Sequence, residues 1–344
     1  MSNLKISYVF FVFICCFISS CSTIKHNPCI EKSLVKNQLN ESDVNQTICF
    51  DSIDSYDFEL NNKPFLTIFG HLSFPEIKKE KYSAVILTHG AGGIRRYHQN
   101  YVNLLNNNGY VVLQIDHYTP RNIRYDKTFT KISGVTFMLD AFSALKLLRS
   151  HPLIDKIGYI GWSQGGVGPI LSHFPDITKF INSNKFGFDA AIAIYPYCSF
   201  TFPDNFTTST PLLMITGQED MLTPEQWCKN LYLKFFRDDG KIKHLSLKDA
   251  HHGYDNPFLY FGFTLDRLPS LIVFNDDCTL TISKTGRLIT MTQKDISNSE
   301  TSSKLLSQCS KKGVTIKYNF EATQKTEETI LNFFKKNLFN LTAN

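Results

Sequence analysis

The sequence predicts an α/β fold, in which a mostly parallel central sheet is covered by helices on both faces. Short apolar runs of strand length alternate along the chain with segments whose apolar residues recur at helical spacing. Connections long enough to hold a helix allow successive strands to run parallel, and parallel sheets are buried on both faces. With 42% hydrophobic residues over 344 positions, the chain has enough apolar material for one large core.

The regular alternation covers residues 61–257, which we predict as the core of the domain. The predicted strands are residues 65–74, 84–88, 110–115, 157–160, 190–194, 212–216 and 242–247. The predicted helices are residues 96–107, 133–150 and 224–236. Gly109 follows the first helix as a typical C-cap, the second helix ends before Pro152, and the third has Pro224 in its first turn.

The alternation breaks after residue 257. Residues 258–320 are predicted as an extension that contains a β-hairpin turning near Gly286. Residues 321–339 are predicted as a closing helix, because Ile330, Phe333, Phe334 and Leu338 share one face of it.

Residues 1–20 are predicted as an export signal. Lys5 precedes an apolar run from residue 6 to residue 18, which has the length of a signal-peptide core and is short for a membrane span. The run leads into Ile18-Ser19-Ser20-Cys21, which resembles the bacterial lipobox, whose cysteine is lipidated and becomes the new N-terminus. An ordinary secretory signal and an uncleaved anchor are the alternatives.

On this resemblance, Cys21 anchors the protein to a membrane through acyl chains. Ser22 stands where an aspartate often marks inner-membrane retention in this class, so the resemblance implies an outer-membrane protein facing the periplasm of a Gram-negative bacterium. Residues 21–60 are polar and rich in Asn, Ser and Asp, and are predicted as a tether.

Six cysteines follow the predicted lipidation site, an even number in a compartment that favours disulfides. Buried free thiols are the alternative for each pair. We predict local pairing of Cys29 with Cys49, Cys198 with Cys228, and Cys278 with Cys309.

Charge and spacing exclude several classes of protein. The net charge of +5 is spread along the chain, which gives no support to a nucleic-acid partner. The cysteines form no C-x-x-C pair and no Cys/His zinc spacing, so no metal site is predicted. No long apolar run follows residue 20, which excludes a polytopic membrane protein.

Residues 161–165 read Gly-Trp-Ser-Gln-Gly and match the pattern G-x-S-x-G. The pattern follows a predicted strand and opens a glycine-rich helix start, which is the sharp turn that this motif requires. Glycines on both sides let neighbouring chain approach a strained middle residue. Ser163 is therefore the candidate nucleophile, beside a helix N-terminus that favours developing negative charge. A plain glycine-rich loop is the alternative.

A serine nucleophile needs a base, and the base needs an acid that orients it. The sixth predicted strand runs into a loop that carries Glu219 and Asp220, and the seventh into a loop that carries His251 and His252. These loops lie with Ser163 at the carboxyl edge of the predicted sheet, where ligands of α/β proteins bind.

Four motifs in the stretch from residue 89 to residue 254 resemble the dienelactone hydrolase family of α/β-hydrolases. They are His89-Gly90-Ala91-Gly92-Gly93, the Gly-Trp-Ser-Gln-Gly-Gly turn, Gly217-Gln218-Glu219-Asp220 with Pro224, and Ala250-His251-His252-Gly253-Tyr254. The resemblance implies an α/β-hydrolase fold over residues 61–344 and no metal or organic cofactor.

The resemblance also assigns roles. Ser163 matches the nucleophile, where many relatives have cysteine, and Asp220 matches the acid because Thr223-Pro224 follows it, with Glu219 as the fallback. His252 matches the base because it precedes a small and an aromatic residue, with His251 as the alternative. The backbone N–H groups of Gln164 and Ala91 would form the oxyanion hole. In bacterial members two cysteines flank an insertion before the closing helix, and they would be Cys278 and Cys309 here.

The roles of several other polar and aromatic residues can be interpreted in two ways. His89 either fixes its loop, which we favour, or takes part in catalysis. Arg121 either binds a substrate carboxylate or forms an ion pair, which we favour. An apolar acyl pocket or ordinary packing would each explain the aromatic residues near one strand end, which are Tyr195, Tyr197, Phe200 and Phe202.

The predicted function is that of a membrane-anchored serine hydrolase that cleaves a small-molecule ester through an acyl-enzyme, with an amide as the alternative substrate. One alternative is a surface-anchored binding protein with little turnover on the same fold. Another is a peptidase of the prolyl-oligopeptidase type, which usually needs a propeller or cap domain. The sequence does not predict an oligomeric state.

Overall fold

The computed structural model describes residues 27–174, 177–181, 187–202, 208, 210–236 and 240–339, without the side chains of residues 178, 179 and 267. The predicted signal and Cys21 lie outside the described residues. None of the helices in the described ranges has the length and apolar content needed to cross a membrane.

An eight-stranded sheet forms the centre of the molecule. Its strands are β1 (Gln46–Ile53), β2 (Phe65–Ser73), β3 (Tyr82–Thr88), β4 (Val111–Asp116), β5 (Ile154–Trp162), β6 (Ala190–Ile194), β7 (Leu212–Gly217) and β8 (Ile242–Leu247). The spatial order is β1-β2-β4-β3-β5-β6-β7-β8. The pairs β1–β2 and β2–β4 are antiparallel, and the neighbours from β4 to β8 are parallel.

Helices lie in most of the connections between the parallel strands. They are α1 (Arg96–Asn107), α2 (Gly134–Leu148), α3 (Val167–Leu171), α4 (Ile177–Phe180) and α5 (Glu225–Leu231), the last continued by a π-helical turn at Tyr232–Phe236. Ser133 caps α2 by accepting the backbone N–H of Thr136 at 3.1 Å, which explains why this helix begins where it does.

The extension predicted after residue 257 contains short strands and one helix. Its elements are β9 (Phe263–Ser270), β10 (Leu280–Ile282), β11 (Leu288–Thr290), α6 (Ser299–Gln308) and β12 (Lys311–Ile316), and α7 (Phe320–Leu338) follows. β10 and β11 form the predicted hairpin, whose turn contains Gly286 at φ +96°. β9 pairs with β12, so the two ends of the extension are held together.

Two apolar layers cover the sheet. One layer packs α2, α3 and α5 against it, and the other packs α1 and α7. Strands β3, β4, β6 and β7 are buried along their whole length, as parallel strands between two layers must be. The predicted α/β-hydrolase fold is confirmed.

The region predicted as a tether differs from that prediction. Residues 46–53 form strand β1 of the sheet, and Leu39, Ile48, Phe50 and Phe58 are buried in the core. The sequence analysis missed this strand because an edge strand needs few apolar residues, and polar residues surround the few that it has.

The structure contains the three predicted disulfides. They join Cys29 to Cys49, Cys198 to Cys228, and Cys278 to Cys309. The first joins the N-terminal segment to β1, and the second joins the loop after β6 to α5. The third joins Cys278, two residues before β10, to Cys309, the residue after α6, and therefore closes a loop within the extension.

Candidate active site

Ser163 occupies the sharp turn between β5 and α3. Its backbone lies in the left-handed region at φ +51°, and its N–H donates to the carbonyl of Ile194 on β6 at 2.9 Å. A side chain at Gly161 would collide with the carbonyl of Gly165, and one at Gly165 would collide with the carbonyl of His89. The glycines of the motif are therefore required by close backbone approach on both sides of the serine.

His252 lies on the loop after β8 and faces the serine. Its Nε2 atom is 2.9 Å from Ser163 Oγ, and its Nδ1 atom is 2.7 Å from Asp220 Oδ2. The loop comes close to the loop after β7, because a side chain at Gly217 would collide with the carbonyl of Ala250. Two adjacent strand ends thus bring the imidazole and the carboxylate together.

Asp220 is held by the loop that carries it. Its Oδ1 atom accepts the backbone N–H groups of Leu222 and Thr223, each at 2.9 Å. Its Oδ2 atom lies 3.0 Å from the Thr223 hydroxyl and faces His252. Because Asp220 is 4% exposed and both oxygens are engaged, the carboxylate has one orientation.

The alternative residues do not take part in this chain of hydrogen bonds. Glu219 is exposed to solvent, and its backbone N–H donates to the carbonyl of Ala250. His251 Nδ1 is buried without a hydrogen-bond partner among the described atoms. The geometry therefore joins Ser163, His252 and Asp220, and leaves Glu219 and His251 outside.

The peptide that carries the Ala91 N–H is fixed beside the serine. A side chain at Gly90 would come within 3.1 Å of Ser163 Cβ, so this loop packs against the serine. The carbonyl of Gly90 faces His89 Nδ1 at 2.8 Å and accepts the N–H of Gly93 at 3.0 Å. In a trans peptide the N–H of Ala91 points away from that carbonyl.

His89 fixes this loop, as predicted. Burial and the neighbouring His117 hold the pKa of His89 well below its usual value, so the ring is neutral. Its Nε2 accepts the backbone N–H of His117 at 3.2 Å, which leaves the proton on Nδ1 to bind the carbonyl of Gly90.

Gln164 is held equally firmly. Its side-chain oxygen accepts the Tyr118 hydroxyl at 2.6 Å, and its amide nitrogen donates to the carbonyl of Ile132 at 2.8 Å. Within the described residues, no hydrogen bond uses the backbone N–H of Gln164 or of Ala91. Both groups are free to donate to an oxygen at the serine.

Arg121 forms an ion pair, which is the interpretation that we favoured. Its guanidinium donates to both oxygens of Asp140 at 2.8 and 3.1 Å, and to Asp54 at 2.9 Å. His117 Nδ1 also faces Asp140, at 2.8 Å. These contacts pair the Arg121 guanidinium with carboxylates of the protein itself.

The sequence analysis missed Asp255, a carboxylate buried three residues after His252. It accepts hydrogen bonds from Tyr101 and Tyr195 hydroxyls at 2.9 and 2.7 Å, and from the Trp162 indole at 2.7 Å. Burial raises the pKa of Asp255, and these donors oppose that rise. Asp255 thus supports the residue before the nucleophile and the Tyr195 ring, whose centroid is 4.6 Å from that of His252.

A cavity of about 130 Å³ opens at Ser163. Its floor belongs to the α/β core, and its roof belongs to the extension. The roof is contributed by Leu271, Leu280, Leu288, Ile296, Ser302, Leu305, Leu306 and Cys309. Of the aromatic residues considered for an acyl pocket, Tyr197 and Phe200 line the cavity, whereas Tyr195 packs on His252 and Phe202 packs on Phe174.

Comparison with known proteins agrees with this architecture. Residues 70–259, more than half of the chain, match the model of the dienelactone hydrolase family. No curated protein matches the chain.

Similar folds occur among solved structures. A dienelactone hydrolase-like promiscuous phosphotriesterase, P91 from metagenomic libraries, has a TM-score of 0.50 at 13% identity, covering 85% of this chain and 99% of its own. A Klebsiella pneumoniae protein described as a dienelactone hydrolase has a TM-score of 0.49 at 13% identity, covering 85% and 100%. Thermogutta terrifontis esterase 2 has a TM-score of 0.44 at 17% identity, covering 59% and 85%. Of these three structures the phosphotriesterase alone reaches a TM-score of 0.5, and at 13% identity its likeness supports the fold alone.

Proposed function

Because the chain belongs to the dienelactone hydrolase family of hydrolases, we propose that it is a serine hydrolase that cleaves a carboxylic ester through an acyl-enzyme. The observation that carries the proposal is the continuous chain of hydrogen bonds from Ser163 Oγ to His252 and on to Asp220, at 2.9 and 2.7 Å.

In the proposed mechanism, Ser163 Oγ attacks the ester carbonyl while His252 Nε2 takes the hydroxyl proton. Asp220 keeps the other imidazole proton on Nδ1 and stabilises the imidazolium that forms. The backbone N–H groups of Ala91 and Gln164 donate to the carbonyl oxygen as it gains negative charge.

The attack gives a tetrahedral intermediate, in which the carbonyl oxygen carries the negative charge. Its collapse breaks the bond between the acyl carbon and the alcohol oxygen, and the alcohol leaves with the proton from His252 Nε2. Water then attacks the Ser163 ester, with the same imidazole as base, and releases the carboxylic acid and the free serine.

We propose further that Cys21 carries a lipid anchor that places the protein on the outer membrane, facing the periplasm. The three disulfides support an exported protein, since such bonds persist in oxidising compartments.

Labelling with a fluorophosphonate probe tests the catalytic proposal, because the probe reacts only with an activated serine. We expect the wild type and His251→Ala to be labelled, and Ser163→Ala and His252→Ala to lose labelling by at least about 100-fold. His251→Ala is the matched control for His252→Ala, since the two residues are adjacent. Failure of the folded wild type to label would favour a binding protein on a hydrolase fold.

A further inference from the structure

We propose that the substrate carries an uncharged, apolar acyl group, and that the extension selects it by roofing the cavity at Ser163. This inference rests on the proposed function, since it names the substrate class of the same site. Three observations support it: the residues that line the cavity, the hydrogen bonds that the polar side chains of the lining already make, and the part of the molecule that covers the cavity.

The part of the lining that the structure describes contains no charged side chain. Among the described residues that form the cavity wall there is no Asp, Glu, Lys, Arg or His. Arg121, the cation that could have bound a substrate carboxylate, is engaged by Asp140 and Asp54. A carboxylate placed in this cavity would lose its water without gaining a countercharge, which is strongly unfavourable.

The polar side chains of the lining are largely committed to other parts of the protein. The Gln164 amide binds Tyr118 and Ile132, and the Ser302 hydroxyl donates to the carbonyl of Ile296 at 2.8 Å. The hydroxyl of Tyr197 donates to the carbonyl of Cys278 at 2.7 Å. These groups therefore shape the wall and leave little for a polar substrate substituent to bind.

The roof itself is apolar and is attached to the core. Six Leu and Ile side chains of the extension face the cavity, at positions 271, 280, 288, 296, 305 and 306. Leu288, Ile296 and Leu305 pack into the same apolar cluster as α2 and α3. The disulfide between Cys278 and Cys309 closes the loop that carries most of these residues.

We place the acyl group in this cavity for a chemical reason. The acyl carbon stays bonded to Ser163 Oγ from the first attack until deacylation, whereas the alcohol must leave and water must enter between the two steps. An apolar cavity under the roof suits the acyl group, which stays bonded to the serine, whereas the alcohol that leaves requires access to solvent.

A series of p-nitrophenyl esters tests the proposal with the wild-type protein. From acetyl to octanoyl, we expect kcat/KM to rise by up to about fourfold per methylene until the cavity is filled. The succinyl monoester should react at least about tenfold more slowly than its uncharged isostere, the 4-methylpentanoyl ester. Equal rates for these two esters, or no rise with chain length, would overturn the proposal.

A charge placed in the roof provides a second test. Leu306 lines the cavity from α6, and Gln308 on the same helix is exposed to solvent. We expect Leu306→Arg to raise the succinyl to 4-methylpentanoyl ratio of kcat/KM at least about tenfold, and Gln308→Arg, the matched control, to leave it unchanged. The same ratio in both variants would show that the roof does not select the acyl group.

Should Leu306→Arg not fold, Leu306→Ala replaces it, and we expect the preferred acyl chain to lengthen. An unchanged optimum would count against the roof. Fluorophosphonate labelling distinguishes failure of the substrate class from failure of the proposed function. A protein that is labelled at Ser163 but shows none of these preferences contradicts the substrate class alone. A folded protein that is not labelled contradicts the proposed function.

Discussion

Asp140 is a fully buried carboxylate that stays ionised because the Arg121 guanidinium and the His117 ring both donate hydrogen bonds to it. Burial alone would raise its pKa, but Arg121 and His117 outweigh burial and lower the pKa to about 2, from an ordinary value of 3.8. Between these two values the unfolded chain binds the proton more readily than the folded protein does. The stabilisation is therefore complete above about pH 4 and is lost as the pH falls towards 2.

This shift predicts a pH-dependent effect of Asp140→Asn. We expect the variant to lose about 3 kcal/mol of unfolding free energy at pH 6, and the difference from the wild type to shrink by roughly 2 kcal/mol as the pH approaches 2. Urea unfolding at pH 6 and at pH 2.5 measures it. Asp54→Asn removes the half-exposed partner of Arg121 and should show no comparable pH dependence. If Asp140→Asn and the wild type differed by the same unfolding free energy at both pH values, the pKa shift of Asp140 would not explain the stabilisation.

The sequence analysis predicted some site residues and missed others for a physical reason. Ser163, Asp220 and His252 stand in short loops directly after strands, and flanking glycines mark the places where those loops approach one another. Asp255 carries no such mark. Its role depends on Tyr101 and Tyr195, which are 154 and 60 residues away and come together only in the fold.

At the scale of elements, the extension was predicted as a unit but its position was not. Turn chemistry at Gly286 predicted the hairpin, because a local motif determines it. The placement of α6 over Ser163 depends on long-range contacts, such as the Tyr197 hydroxyl with Cys278 and the pairing of β9 with β12. No local pattern in the sequence encodes those contacts.

Removal of the Cys278–Cys309 disulfide tests the extension as an element. With a sequence separation of 31 between the cysteines, the chain-entropy model gives a stabilisation of about 3–4 kcal/mol. In the double serine variant we expect the extension to loosen, the preference for long acyl chains to fall, and labelling of Ser163 to persist.

Ester hydrolysis and thermal unfolding measure these effects together. The double serine variant of Cys29 and Cys49 is the matched control, because that disulfide holds β1 and neither cysteine lines the cavity. It should lose stability and keep its acyl preference. Identical acyl preferences in the two double variants would show that the disulfide does not support the roof.

At the scale of the whole molecule, the proposed lipid anchor at Cys21 makes a prediction about where the protein is found. In bacteria that express the full chain with an alkyne analogue of palmitate, we expect the wild type to be labelled and to sediment with membranes. Cys21→Ser should abolish labelling, while Cys29→Ser should retain it. An unlabelled, secreted wild type would instead indicate an ordinary signal peptide.

The disulfide from Cys29 to β1 sets how far an anchored enzyme could travel. A tether that lasted until residue 60 would span up to about 140 Å when fully extended, at roughly 3.6 Å per residue. Because the disulfide fixes Cys29, eight residues after Cys21, those two residues can be at most about 29 Å apart. An enzyme anchored this closely would act only near the bilayer surface, where apolar esters partition. Its turnover would depend on the amount of ester in the local lipid phase more than on the bulk concentration of the ester.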